Sequence, residues 1–428
     1  MGKRMYKANH VKSVNVEKLA VDCGADAVIG IDVAKTKQYA AFFSKGTQEV
    51  VKTVHWQQPE ENRDFLSLCE ALKSQGVSLE AAMEPSGTYG DVIRVSLSVR
   101  GVPVFQVSGM RVNSARSIQD GVLSLHDAKS AHLIAWLHST GASQAWEEKS
   151  EHERAISAAN EAVVWLQESL QRQLGRLEAK LARHWPEVTL QLSLKSATLR
   201  ELVATYGSPG AVTKSKEEAR ALMRRRGRSF LSEDVIDAVL ESAGTTQGVV
   251  MTEVEVEVMR EFGAEMQRTA QLLHKAEERL LKVSHEHVPR VAAELVGHRT
   301  AAMMLAHGVD PAKYESSGAL LKACGLNLRV KSSGKDEGRL RISKGGSGEV
   351  RQIFYLAVLR LIQKDEWAKA WFQKKRERDG NGRSGPKAVV AVMRKVVKAL
   401  WHVWTKNESF DSTRLFDTAR LARMTAEA

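Results

Sequence analysis

Cysteine is scarce in this chain. Cys23, Cys69 and Cys324 are the only three in 428 residues, lie far apart and form no CxxC pair. That argues against a zinc site and a disulfide framework, and it fits a reducing compartment. Long apolar runs are also missing, and no stretch is long enough to cross a bilayer. Met1 to Lys12 is basic but lacks the apolar core of a secretory signal. These absences predict a cytoplasmic, nucleoid-associated chain with no membrane partner. A P-loop pattern is absent, so ATP hydrolysis has no support. Acids are the scarcer charge: 51 Asp and Glu stand against 63 Lys and Arg, a formal net charge of +12. A balance this basic favours a polyanionic partner, nucleic acid ahead of membrane, with a basic housekeeping enzyme as the alternative.

What is present is enough for a large core. Hydrophobic residues make up 43% and charged residues 27% of the sequence, and its length suggests two to three domains. The stretch Val28 to Lys35 is apolar on both sides of one acid, Asp32. A carboxylate in the middle of a core strand needs a partner, and a metal ion is one candidate.

Around it, alternation and turn residues predict strands over 28–33, 39–43 and 49–55. A helix with Phe65, Leu66, Leu68 and Leu72 at helical spacing follows. Then come a strand over 79–83 ending at Glu84-Pro85, a helix to about Arg100, a strand over 102–107, and helices over 111–119 and 124–138. The order β-β-β-α-β-α-β-α resembles the RNase H-like fold. In that fold acids arrive from the middle of the first strand, the end of the fourth and the last helix. Those places hold Asp32, Glu84 and Asp127. Convergent carboxylates repel one another unless divalent cations neutralise them, and oxygen-only ligands select Mg2+ or Mn2+. Two such ions can clamp the attacking and leaving oxygens of a phosphodiester. Singly, each acid has a plainer reading: a turn ion pair for Asp32 with Lys35, a strand-end carboxylate for Glu84, a helix N-terminal acid for Asp127.

From Ser150 to Trp185 a single helical pattern carries Val163, Leu166, Leu170, Leu174, Leu177 and Leu181 in a coiled-coil-like seam. A second seam runs from Glu253 to Lys282 through Val258, Phe262, Met266, Thr269, Leu273, Ala276 and Leu280. The two could pair as an antiparallel hairpin or form a dimer contact. The insert between them, about 190–250, carries Arg224-Arg225-Arg226-Gly227-Arg228. This run suits phosphate contacts; a solvated face is the alternative.

The last third is strongly basic: residues 321–400 hold 20 Lys and Arg against 7 Asp and Glu. A Gly/Ser loop hung with cations runs through Ser332-Ser333-Gly334 to Arg339, Arg341 and Lys344. Lys374-Lys375-Arg376 forms a basic turn before Pro386, and a helix is expected over 387–404. A serine beside glycine among arginines can attack a phosphodiester; polar filler in a flexible loop is the alternative. No histidine lies close by in sequence as an obvious base.

These segments together resemble the insertion-sequence transposases of the DEDD type, the IS-one-ten family, also described as bridge-RNA-guided recombinases. The carrying residues are Gly30-Ile31-Asp32-Val33-Ala34-Lys35, Met83-Glu84-Pro85-Ser86-Gly87-Thr88-Tyr89, and Asp127 with Ala131 and Ile134-Ala135. Further on they are Ala323-Cys324-Gly325-Leu326, Ser333-Gly334, Arg341 to Gly346, and Lys387 to Trp404. The resemblance implies an RNase H-like, resolvase-like α/β catalytic domain over 25–145. It implies a helical coiled-coil spacer with an insert over 150–285 and a mainly helical basic transposase domain over 290–410.

The resemblance also implies that Asp32, Glu84 and Asp127 ligate Mg2+ and that Ser333, with Ser332 as the rival, forms a phosphoserine bond with DNA. Acid cluster and serine would come from different subunits of a dimer or tetramer, and a structured guide RNA encoded by the element would choose the DNA targets. Two departures stand out. Ser130 occupies the position where the family's fourth acid is expected; shifting the register would place Asp127 there and Ser124 on the third acid, at the cost of the match at Ala131 and Ile134-Ala135. Gly297-His298-Arg299 stands where relatives have a Gly-x-Gly turn. The expected activity is DNA transposition by strand exchange. A hydrolytic resolvase-like nuclease and an inactive nucleic-acid-binding relic are the alternatives.

Overall fold

The computed structural model describes residues 6–417, except 86, 119–120, 124–125, 228–230, 332–338, 379 and 381–384. The chain divides into two compact units, Met1–Glu148 and Lys149–Ala428.

The first unit is a mixed α/β layer structure. In chain order it contains β1 (Asn9–His10), α1 (Val16–Cys23), β2 (Asp26–Asp32), β3 (Lys37–Ser44), β4 (Glu49–Gln57) and α2 (Asn62–Ser74). Then follow β5 (Ser78–Met83), α3 (Asp91–Val99), β6 (Val104–Gln106), α4 (Gly109–Ala115), α5 (Asp127–Ser139) and β7 (Gln144–Ala145). The seven strands form one sheet in the order β1-β4-β3-β2-β5-β6-β7. The central strand β2 runs antiparallel to β3 and parallel to β5.

A strand covered on both faces reads as a continuous apolar run, which is why 27–31 shows so little alternation. Ala27, Ile29 and Ile31 enter a core with Leu19, Phe65, Leu72, Ile93 and Leu97 from α1, α2 and α3. On the opposite face Val28 packs with Phe43 and with Ala135 of α5. Trp56 stacks on Phe65 at 4.0 Å and donates its indole N–H to Asn62 Oδ1 at 2.9 Å, pinning α2 to β4.

The structure differs from the sequence reading in three places here. The polar lead-in contains β1 and α1, and Leu19, Ala20 and Cys23 of α1 are buried. Asp32 is the last residue of β2 and half-buried, not in the middle of the strand. The last long helix begins at Asp127, and Ser124 lies outside the described residues.

The second unit is almost wholly helical. The 34-residue α6 (Glu151–His184) and the 32-residue α12 (Glu253–Ser284) each open with a full capping box, Ser150 with Glu153 and Thr252 with Glu255. They pack against each other in opposite directions: Ile156 and Val163 of α6 share a cluster with Ala276 and Leu280 of α12, while Leu177 and Leu181 share another with Met259 and Met266. Of the two pairings the seams allowed, the structure contains the intrachain hairpin. Val258 of the expected seam is exposed, and its neighbour Met259 takes the buried position.

The described residues of the insert include α7 (Val188–Gln191), α8 (Ala197–Tyr206), α9 (Pro209–Lys214), α10 (Lys216–Gly227) and α11 (Glu233–Thr245). After α12 come α13 (Arg290–Val296), α14 (His298–Ala306), α15 (Ser317–Ala323), the antiparallel pair β8 (Leu328–Lys331) and β9 (Arg339–Ile342), α16 (Gly348–Lys364), α17 (Glu366–Arg378) and α18 (Gly385–Lys406). Ala302 and Ala306 of α14 pack into the α6–α12 cluster within the second compact unit. Among the described residues no helix is long and apolar enough to cross a membrane.

Candidate active site

The site is built by the approach of α5 to the sheet. Gly30 of β2 lies directly under the helix: a β-carbon there would stand 2.2 Å from the Ala131 carbonyl oxygen and 2.7 Å from the Ala135 β-carbon. Small residues on both surfaces let the helix sit on the strand, and polar contacts fix its rotation. His132 meets Thr53 Oγ1 of β4 at 2.7 Å, and His138 Nε2 meets Glu80 Oε2 of β5 at 3.0 Å. Gly30 and Asp32 are two apart on one strand, so they share a face. The first turn of α5 therefore lies over Asp32.

This brings the three sequence-predicted acids together. Asp32 ends β2, Glu84 follows the last residue of β5, and Ile31 and Met83 pair in register between those two strands. Asp127 opens α5. The Asp32 carboxyl is pushed up to about 7, first by burial, then by the charges of Asp127 and Glu84; a side-chain hydrogen bond with Ser130 pulls the other way. Burial also raises Glu84. Gly109, the first residue of α4, leaves room for this carboxylate: a β-carbon there would lie 2.9 Å from Glu84 Oε2. Ser130, placed by the sequence at the fourth-acid position, is buried and hydrogen-bonds to Asp32.

Three carboxylates and one hydroxyl offer only oxygen donors, the ligand type that Mg2+ and Mn2+ prefer. The raised Asp32 reflects burial first and then neighbouring negative charge, and a divalent cation would offset both. Among the described residues no group of three or more His, Cys, Asp or Glu is placed to hold a metal ion.

Residues 29–186 match a transposase family of the DEDD type, and residues 295–373 match the transposase IS116/IS110/IS902 family. The chain belongs to the IS110 family of DEDD transposases. It is a DNA transposase. The two matched stretches hold the acid cluster of the first unit and the start of the basic helical region of the second, and together they cover more than half of the chain. No curated protein matches it in sequence.

The transposase's other sequence-predicted residues fare differently. Ser333, Ser332 and Arg228 lie outside the described residues. The strands β8 and β9 flank the serine loop, where the sequence suggested only a Gly/Ser loop. Arg341 pairs in register with Arg329, and Arg339 with Lys331. Like charges directly opposite, as at Arg341 and Arg329, are destabilising unless an anion lies between them. Lys344 follows it with a left-handed φ of 56°.

Lys374, Lys375 and Arg376 are not in a turn but in the last turns of α17. Ala368 and Trp371 bury that helix's inner face, and basic residues favour a helix C-terminus. Arg224, Arg225 and Arg226 face protein acids. Arg224 grips Glu233 at 2.7 Å and 2.8 Å, while Arg225 and Arg226 reach Glu201 at 3.1 Å and 2.9 Å. These pairs tie α10 to α11 and α8, a structural use of the run that its composition did not reveal.

Sequence reasoning missed the surroundings of Asp127. Tyr39, His55 and Lys37 lie beside it on β3 and β4, with His126 as the cap of α5. The signal was strand register: Asp32 pairs with Tyr39, and Tyr39 with His55. His55 is held below the usual histidine range by burial, then by Lys37 and His10.

Proposed function

We propose that this transposase breaks and joins DNA strands at a divalent-metal centre held by Asp32, Glu84 and Asp127 in an RNase H-like domain, with Ser333 as the nucleophile. The carrying observation is the gathering of the three acids at the ends of the central strands β2 and β5, where burial and then the charges of Asp127 and Glu84 raise Asp32. A bound Mg2+ or Mn2+ would polarise the phosphodiester and stabilise its developing charge. Asp32, Glu84 and Asp127 would hold that charge in place. Ser130 orients the Asp32 carboxylate and adds no charge of its own. The Ser333 hydroxyl oxygen would bond to phosphorus as its proton leaves, and the sugar oxygen of the broken ester would depart and take a proton. Arg339 and Arg341 of β9, with Lys344 just after it, would neutralise the phosphate backbone.

The net charge of +12 suits contact with nucleic acid, and family membership supports the remaining assignments. These are guidance by a structured RNA encoded by the element and a homo-oligomer in which acids and serine come from different subunits. The test is denaturing electrophoresis of the purified protein with its RNA, Mg2+ and labelled element DNA. A protein–DNA adduct that disappears in Ser333→Ala is expected. Cutting without an adduct in wild type would replace this reading with hydrolysis. An adduct that persists in Ser333→Ala would move the nucleophile, with Ser332 the next candidate.

A further inference from the structure

A lateral row of residues crosses four strands beneath the start of α5. Asp32 of β2 pairs with Tyr39 of β3, Tyr39 with His55 of β4, and His55 with His10 of β1. Cross-strand partners share a face, so a carboxylate, a phenol and two imidazoles stand side by side on the face that α5 covers. The helix covers only the Asp32 end of the row. Beyond it an open cleft of about 350 Å3 remains, lined by Tyr6, Lys37, Tyr39, His55, His126 and Asp127 among others. That is near the lower end of the roughly 300–1,000 Å3 typical of small-ligand sites.

The chemistry of the cleft is uneven in a useful way. Its body is aromatic: Tyr39 and His55 have ring centroids 5.9 Å apart, and Tyr6 stands edge-on to His126 at 5.0 Å. Its outer side carries a cation, with Lys37 Nζ 5.2 Å from the Tyr39 ring centroid. Its inner end is Asp127, a member of the acid cluster. Nδ1 of His55 is buried and has no hydrogen-bond partner among the described residues. A divalent cation would not choose a cleft with one carboxylate and a lysine. An aromatic platform beside a cation matches two parts of a nucleotide: a base to stack and a phosphate to neutralise.

We propose that this cleft binds one nucleotide of the DNA strand handled by the acid cluster. Its base lies against Tyr39 and His55, and its phosphate faces Lys37 and His126. The site is continuous with the acids through Asp127, so it takes the nucleotide next to the phosphodiester under attack and sets the strand's register. Tyr39 and Lys37 are then positioning residues for strand transfer. The proposal rests on reading the acid cluster as the strand-cutting centre.

The test uses the full-length chain and an oligothymidylate carrying 5-iodouracil. Irradiation followed by peptide mapping is expected to place a cross-link on Tyr39, Tyr6 or His55. Tyr39→Ala should weaken binding of the same oligonucleotide about tenfold, the effect of one lost base stack, while Tyr39→Phe should bind as wild type does. Cross-links confined to the helical unit, or equal affinity for Tyr39→Ala and wild type, would overturn the proposal. Cutting of element DNA, with Asp32→Asn as control, is measured separately. A protein that cuts but cross-links only outside the cleft overturns the subsite alone. A protein that cross-links in the cleft and never cuts keeps the subsite and overturns the cutting centre.

Discussion

The carbonyl oxygen of Ala131 stands 2.2 Å from the point that a β-carbon on residue 30 would occupy. No other residue type can replace Gly30 without moving backbone, because the atom in the way belongs to the helix main chain. The same contact sets α5 over Asp32, so the packing of one glycine and the assembly of the acid cluster are a single feature.

Gly30→Ala should therefore be costly twice over. Overpacking a close-packed interior costs on the order of 1–3 kcal/mol, and displacement of α5 should carry Asp127 and Ser130 away from Asp32. The expected result is a lower unfolding midpoint together with loss of DNA cutting. Ala135→Gly, on the facing surface, should lose stability while retaining cutting. Full activity in a stably folded Gly30→Ala protein would break the link drawn between packing and site.

The raised Asp32 carboxyl has a definite pH signature. An ordinary aspartate titrates near 4, whereas this one is pushed up to about 7. Between those values the folded chain holds a proton that the unfolded chain releases, so without divalent ions this group's contribution to stability falls as pH rises from about 4 to 7 and then levels. Thermal unfolding in chelator across this range should show the fall in wild type relative to Asp32→Asn. Added Mg2+ should raise the midpoint of wild type more at pH 8 than at pH 5. Superimposable pH curves for the two proteins would rule out the coupling.

Ser130 can be tested from both directions. Ser130→Ala removes a hydrogen bond to a charged group and should lower stability by about 1–2 kcal/mol at about pH 8 and above, where Asp32 is ionised. Ser130→Asp adds a fourth carboxylate beside Asp32, so it should destabilise the chelated protein and tighten Mg2+ binding. Titrating Mg2+ against the unfolding midpoint reads both effects. Weaker binding in Ser130→Asp than in wild type would show that the serine is not standing in an acid's place.

His132 predicts the opposite pH slope to Asp32. It is buried and is pushed down to about 4, by burial first and then by His126. The unfolded chain takes up a proton near 6.5 that the folded chain refuses. The stabilising contribution is thus complete above about pH 6.5 and is lost as pH falls through 4. His132→Gln should flatten that acid limb of the stability curve, measured by urea unfolding at stepped pH.

Much of this was legible along the chain. Local pattern marked the strand stop at Glu84-Pro85, but it set Asp32 inside its strand and Asp127 inside its helix, whereas the structure puts them at the end of β2 and the start of α5. The seams of α6 and α12 were readable because a three-and-four spacing has no other use over 30 residues. The basic runs were less readable. Composition locates cations, but only the fold shows that Arg224 to Arg226 meet Glu201 and Glu233.

The sequence by itself determined the element order from β2 to α5, the long helical pair of the second unit, and the acids that could form a site, because periodicity and turn chemistry act over a few residues at a time. The tertiary structure alone decided that Gly30 lies under α5, that the Ser130 hydroxyl reaches Asp32, and that Tyr39 and His55 stand in line beyond it to form a cleft. Those relationships depend on strand register and on the distance between a helix and a sheet. Both are fixed by packing between residues far apart in the chain, which no local pattern records.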